Sequence, residues 1–275
     1  MAPSIKALAA HAVVTGKKKL KRTFFLFAWG GRKYQCNICG DTFRRFVGLQ
    51  KIADGRFVCP VIIRGKEHSP MDYEFLNIRN FACPRCGAPD KARLMGEFFV
   101  REGFERLRNS GKPLLHFEPE AGMAQFLGRA ITDYRISTYP NGVGPHHFDL
   151  RDLTTVAGTL GCFIASHILE HIEEDELAAE QLYESLAPDG FGIILVPIMR
   201  GIEDTWENPE ATSESDRWKY FGQNDHVRIY SKEGFLGLLE NSGFSVRQLG
   251  KEYFSKSVFA RLGITESAVL YVVEK

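Results

Sequence analysis

Four of the six cysteines in this sequence fall into two matching knuckles, Cys36-Asn37-Ile38-Cys39-Gly40 and Cys83-Pro84-Arg85-Cys86-Gly87. Two residues between thiolates let one tight turn present both sulfurs to the same ion. The glycine after the second cysteine permits the positive φ that aims backbone amides at sulfur. Together the knuckles make a tetrahedral four-thiolate zinc site, closed to water and substrate and therefore structural. The stretch between them exceeds the usual ~15–20 residues, so an insertion is expected to loop out. A rival ligand set of Cys36, Cys39, Cys59 and His68 lacks knuckle geometry at its last two members. Cys162 lies in an apolar run and reads as a core residue.

The histidines carry a weaker signal. His167 and His171 are four apart across an expected strand-to-helix turn. They could be a metal pair, but no third ligand is evident. Asp225-His226 lies in a long polar segment. Its plainer reading is a loop clasp in which Asp225 pairs with Arg228 over a packed His226.

The elements that must position these groups alternate strand and helix from residue 111 onward, the pattern of a parallel sheet covered by helices. Strands are expected at Leu114–Phe117, Asp133–Thr138, Gly161–Ser166, Phe191–Pro197 and Val269–Val273. Helices are expected at Gly122–Ala130, at Glu173–Leu186 with Leu177, Leu182 and Leu186 inward, and at Lys232–Ser242 before Gly243. Pro188-Asp189-Gly190 should stop the second helix, and Pro140–Pro145 reads as a loop. Trp206–Tyr220 reads as a lid or substrate wall.

With 275 residues, 44% hydrophobic and 25% charged, the chain can bury a sizeable core. No apolar run approaches the ~20 residues that span a bilayer. Paired CxxC motifs without a secretory signal point to metal rather than disulfides, and to a reducing cytoplasm. The net charge of +1 hides an asymmetry: residues 1–58 hold twelve basic and two acidic side chains, including the Lys17–Arg22 cluster, which leaves the remainder at −9. Such a basic head suits an anionic partner, a nucleic acid or a membrane surface, or simply a solvated arm. Three regions follow: a basic arm over 1–33, a zinc-ribbon-like module with a linker helix over 34–110, and a catalytic domain over 111–275.

From Leu114 on, the chain resembles class I S-adenosylmethionine (SAM)-dependent methyltransferases, in particular a subgroup with a four-cysteine zinc ribbon before the catalytic domain. The stretches carrying the resemblance are Leu114-Leu115-His116-Phe117-Glu118-Pro119-Glu120, Phe148-Asp149-Leu150-Arg151-Asp152-Leu153, Ala165-Ser166-His167-Ile168-Leu169-Glu170-His171-Ile172, Leu186-Ala187-Pro188-Asp189-Gly190 and Phe221-Gly222-Gln223-Asn224-Asp225-His226-Val227-Arg228-Ile229-Tyr230. The resemblance implies an α/β, Rossmann-like methyltransferase sheet with helices on both faces, preceded by a small zinc-binding module.

It also implies a SAM site at the carboxyl ends of the strands. Glu118, Pro119, Glu120 and Gly122 would wrap the methionine part, Asp149 and Leu150 would meet the adenine, and Ser166 and His167 would flank the sulfonium. The chain departs from the family in two places: only Gly122 remains of the glycine-rich loop, and Thr138 or Tyr139 stands where an acid normally binds the ribose. The expected reaction is O-methylation of a small-molecule or glycan-type acceptor. His226 is the candidate base, with Asp225 and His167 beside it. The alternatives are an RNA methyltransferase gripping its substrate through the basic zinc module, or a non-catalytic partner protein with a degenerate pocket.

Overall fold

The computed structural model describes residues 29–51, 55–138 and 146–275. Residues 1–28 of the expected arm, with Lys17–Arg22, lie outside these, as do Tyr139 and the Pro140–Pro145 loop. The first knuckle sits in an antiparallel pair, β1 (Gly30–Gln35) and β2 (Thr42–Phe43). The insertion between knuckles carries a second hairpin, β3 (Val61–Ile63) and β4 (Lys66–His68). After the second knuckle, α1 (Asp90–Phe98) runs through a π turn over Phe99–Gly103 into α2 (Phe104–Ser110).

The sheet then begins with β5 (Leu114–Phe117), followed by α3 (Ala121–Gly128), β6 (Tyr134–Ser137), β7 (Leu160–Ser166), α4 (Asp175–Ser185) and β8 (Leu186–Leu195). A segment containing β9 (Trp206–Glu207), α5 (Glu214–Phe221) and β10 (Arg228–Ile229) leads to α6 (Lys232–Asn241). The chain closes with β11 (Ser245–Leu249), α7 (Lys251–Phe254), α8 (Lys256–Leu262) and β12 (Leu270–Glu274). Six strands form one sheet in the order β11-β12-β8-β7-β5-β6. β6, β5, β7 and β8 run parallel, and β12 is antiparallel to both of its neighbours. This is a Rossmann-like α/β sheet. Right-handed crossovers put α3 and α4 on opposite faces, because β6 and β8 lie on opposite sides of the β5–β7 pair. The order therefore reverses between β5 and β7, and the crevice of such a sheet opens at their carboxyl ends.

The central strands form because their apolar residues are continuous. All seven residues of β7 are buried, as expected of a parallel strand covered on both faces. Pro188-Asp189-Gly190 does not separate helix from strand as expected. α4 stops at Ser185, and β8 starts at Leu186. The register jumps from Leu160 opposite Leu186 to Cys162 opposite Phe191, so residues 187–190 bulge out of the ladder. Proline has no amide to donate, and a bulge is where a strand tolerates it. In α4 the inward stripe is Ala178, Ala179, Leu182 and Ser185, while Leu177 is 41% exposed, one position off that stripe. No helix among the described residues is long and apolar enough to cross a membrane.

The insertion does not loop out. Val61 and Ile63 would be exposed in a free loop; instead they pack with Met199, Phe221 and Ile229. The Glu74 amide donates to the Ile198 carbonyl at 2.9 Å, and the Glu74 carboxylate accepts from the Tyr271 hydroxyl at 2.7 Å. The knuckles share the main core with the sheet, through Cys36, Phe43, Phe46 and Cys83.

Arg93 on α1 fastens these parts together. It is fully buried, and its guanidinium donates to four carbonyls: Leu262 (2.7 Å) at the end of α8, Phe81 (3.0 Å), Ala88 (2.8 Å) and Asn80 (2.7 Å). The group stacks 3.9 Å from the Phe46 ring centre. Its own carbonyl accepts from Asn37 of the first knuckle at 2.9 Å. Replacing Arg93 by Leu strands four acceptors in the core and should cost about 3–5 kcal/mol in denaturant unfolding. Arg93→Lys should recover only part of the loss, because one ammonium cannot reproduce the planar fork.

Candidate functional site

The two knuckles fold alike because each uses the same two backbone bonds. Gly40 donates to the Cys36 carbonyl (2.8 Å) and Gly87 to the Cys83 carbonyl (3.0 Å). Cys36 in turn donates to Asp41 and Cys83 to Ala88, both at 2.9 Å. Gly40 and Gly87 have φ of 80° and 74°, the left-handed turn their lack of Cβ allows. An Arg85–Asp41 ion pair joins knuckle to knuckle. The sulfurs of Cys36 and Cys86 lie 3.7 Å apart, and those of Cys39 and Cys83 3.8 Å. A tetrahedron with ~2.3 Å metal–sulfur bonds has edges of ~3.8 Å, so the four thiols fit a closed four-thiolate ion site. Cys59 is exposed and stands outside this cluster, so the rival set is not assembled. Cys162 is buried in β7 as expected.

A cavity of about 760 Å³ opens between the knuckle-bearing segment and the carboxyl ends of the sheet. Glu118, directly after β5, and His167, directly after β7, both turn into it from left-handed backbone (φ 47° and 56°). That conformation costs a side-chain-bearing residue energy and is characteristic of functional turns. Ser137 at the end of β6 accepts from the Phe148 amide at 3.0 Å, which anchors the start of the segment carrying Asp149 and Leu150. Arg151 grips both Asp149 oxygens (2.6 and 3.0 Å) and reaches Glu174 at 3.3 Å. Glu120 pairs with Lys91 of α1 at 3.1 Å, a nearly buried contact that ties the knuckle side of the cavity to the sheet side. Eight Asp or Glu side chains line the cavity against three Lys or Arg, which gives it a cation-seeking wall.

The far wall gathers His167, Glu170, His171, Asp225 and His226. Leu169–His171 is a single 3₁₀ turn. His167 precedes this turn in left-handed backbone, and Glu170 Oε1 lies 3.2 Å from His167 Nδ1. β10 brings the second half: the Val227 amide donates to the Glu170 carbonyl at 2.9 Å. Arg228 does not pair with Asp225 as the plainer reading had it. It binds Glu207 (2.6 Å), Asp175 (3.2 Å) and the Glu173 carbonyl (2.9 Å), locking the turn. Asp225 faces His171 at 3.4 Å, which holds its carboxyl below the usual range despite partial burial. Burial keeps His226 neutral, its pKa pushed down to about 3.

Of the expected site residues, Glu118, Glu120, Asp149, Leu150, His167, Asp225 and His226 line this one cavity. Pro119, Gly122, Thr138 and Ser166 are not among its lining residues. Gly122 instead backs onto the second knuckle, where a Cβ would come within 2.9 Å of the Cys86 carbonyl. Sequence reasoning passed over Glu170, Arg151, Lys91 and the aromatic wall from the insertion, including Phe57 and Phe81. Glu170 had a readable signal in its place between His167 and His171. The insertion had none.

Ala in a helix is normally favoured over Gly by up to ~1 kcal/mol. Gly122→Ala should nevertheless destabilise the protein by about 1–3 kcal/mol, because the added methyl pushes the Cys86 knuckle away. Thermal unfolding of the variant checks the sign.

No protein-family model matches the chain, and no curated protein matches it. Solved structures that match part of the chain include the citrinin polyketide synthase CMeT domain, at 15% identity and a TM-score of 0.44 over 69% of this chain and 54% of that one. Another is the CurJ carbon methyltransferase, at 12% identity and a TM-score of 0.38 over 59% of this chain and 48% of that one. A third is a SAM-dependent methyltransferase from Archaeoglobus fulgidus, at 14% identity and a TM-score of 0.38 over 66% of this chain and 96% of that one. The chain thus spans about half the length of the first two.

Proposed function

We propose that the chain is a SAM-dependent methyltransferase acting on an oxygen of a small-molecule or glycan-type acceptor, with a zinc ion held by Cys36, Cys39, Cys83 and Cys86. The observation that carries the reading is the acidic cavity at the strand-order reversal, entered by Glu118 and His167 from strained turns. Its volume falls within the ~300–1,000 Å³ usual for cofactor and small-ligand sites. When bound, SAM supplies an electrophilic methyl group on a cationic sulfonium. Asp149 retains acceptor capacity beyond its Arg151 pair and would take the adenine amino group against the apolar side of Leu150. Glu118 and the β7 turn would border the methionine and sulfonium end, where the surrounding carboxylates favour a positive charge.

The Glu170–His171–His226 wall would border the acceptor. His226 is neutral at pH 7, but an imidazole with so low a pKa is a weak proton sink. We therefore assign it to holding the acceptor end of the cavity rather than to storing the proton. His171, oriented by Asp225, is the better-placed base. An RNA acceptor fits less well, since a polyanion would face eight carboxylates here.

Calorimetric titration with S-adenosylhomocysteine tests this. The protein should bind it, and Asp149→Ala should weaken binding by about 10–100-fold. No binding by the intact protein would favour a non-catalytic partner protein instead. The purified chain should also carry one zinc ion by elemental analysis. Cys83→Ser should lose it and destabilise the fold by more than about 4 kcal/mol. Because Gly87, Pro89 and Lys91 wall the cavity, the same variant should bind S-adenosylhomocysteine more weakly.

A further inference from the structure

Glu170 is the least expected group in the cavity wall. It is fully buried, yet among the described residues neither carboxylate oxygen accepts a well-aligned hydrogen bond, and Oε2 has no partner to compare with the ring nitrogens around Oε1. A buried carboxylate ordinarily collects donors, since leaving one without them is costly. What surrounds Glu170 Oε1 is nitrogen: His167 Nδ1 at 3.2 Å, His226 Nε2 at 3.9 Å and His171 Nε2 at 4.0 Å.

The outer nitrogens of two of these rings are already oriented. His226 Nδ1 lies 3.3 Å from the Phe221 carbonyl, which can only accept, so the ring proton sits there. His171 Nδ1 lies 3.4 Å from the Asp225 carboxylate, which holds a proton on that side in the same way. Both rings then present their Nε2 lone pairs to Glu170. Two lone pairs and a carboxylate converging in a buried space repel one another unless a cation stands between them. Outer carbonyl or carboxylate partners on the far ring nitrogen are the arrangement that supports histidine ligands in metal sites.

From this geometry we infer that Glu170, His171 and His226 form a second metal site, which takes a divalent first-row transition-metal ion in the cavity wall. Their ligand atoms all lie within 4.8 Å of one another. A tetrahedral site with ~2.1 Å bonds has edges of ~3.4 Å, so the 3.9 and 4.0 Å separations close on an ion with shifts of a few tenths of an ångström. Two imidazoles with one carboxylate suit zinc, iron, cobalt or nickel better than magnesium or calcium, which prefer all-oxygen sets. The scaffold is rigid enough to hold the ligands in place. The Val227 amide on the Glu170 carbonyl joins the two ligand-bearing segments, and Arg228 fixes the turn from below. His167, on Oε1 already, stands ready as a fourth ligand or as a partner to Glu170. Three protein ligands leave a position open, and the cavity lies on that side. With its Nε2 on the ion, His171 would no longer serve as the base. An acceptor hydroxyl could instead occupy the open position and have its proton made more acidic; this last consequence, unlike the site, rests on the methyl-transfer reading.

The probe is cobalt(II), titrated into the full-length protein with its thiolate site already filled with zinc. Cobalt in a nitrogen and oxygen set gives weak visible bands without the intense thiolate charge-transfer absorption of a cysteine site, so the two sites are told apart in one spectrum. Wild-type protein should develop those weak bands to saturation at one equivalent. Glu170→Gln and His171→Ala should each lower the cobalt affinity at least about tenfold. His171 is partly exposed, so its variant decides the matter if Glu170→Gln fails to fold. The proposal is overturned if wild-type protein develops no such bands, or if His171→Ala binds cobalt as tightly as wild type. S-adenosylhomocysteine binding measured on the same samples separates failure of this site from failure of the methyltransferase reading.

Discussion

The structure depends on one buried cation. Arg93 has no water to solvate it, and the buried Asp90 carboxylate favours its charge without forming an ion pair with it. Four backbone carbonyls from three separate stretches of chain replace its hydration. Those stretches are the loop before the second knuckle, the turn after it, and the end of α8 some 170 residues later. A guanidinium suits the task because its donors fan out in a plane and its faces can lie against a ring, here Phe46. Four thiolates around a divalent ion would carry a net negative charge, which the nearby Arg93 would offset. Arg93 thus joins the cysteine cluster to the C-terminal helix.

That tie is what gives the cavity its second side. An open α/β sheet offers a crevice at the reversal of strand order, but one wall of it is ordinarily loop or solvent. Here the insertion between the knuckles and the first turn of α1 supply that wall. The Lys91–Glu120 pair and the packing of Val61 and Ile63 on Phe221 close it from two directions. Gly122 belongs to the same economy of space: it is small so that α3 can approach Cys86. The chemistry of the cavity then follows from its charge. Carboxylates outnumber the fixed cations, and burial holds His226, one of the histidines that face Glu170, neutral.

Much of this was legible in the residues. The knuckles announce themselves by spacing and glycine, β7 by a continuous apolar run, and β5 and the second half of β8 by short apolar ones. Asp225 and His226 were picked out beside His167 without any knowledge that β10 would carry them there. What escaped was long-range or locally weak. β11 has an alternation blurred by Arg247 and Gln248, and α7 and α8 are too short to show a stripe. Arg93 looks like any helical arginine until the carbonyls from residues 80, 81, 88 and 262 are brought around it. Gly122 reads as the remnant of a glycine-rich loop around the methionine part, because sequence cannot show that its neighbour is Cys86. Glu170 sat between two histidines already under suspicion, and only the fold supplied His226 as the third corner.

The central claim is that the cavity between knuckles and sheet is a SAM site whose far wall meets the acceptor. A crystal structure of the protein with S-adenosylhomocysteine tests it most directly. The account predicts the adenine beside Asp149 and Leu150 and the sulfur past Glu118 and His167, pointing toward Glu170 and His171. Density for the ligand at another surface, or an adenine lodged against the Glu170 wall, would contradict it.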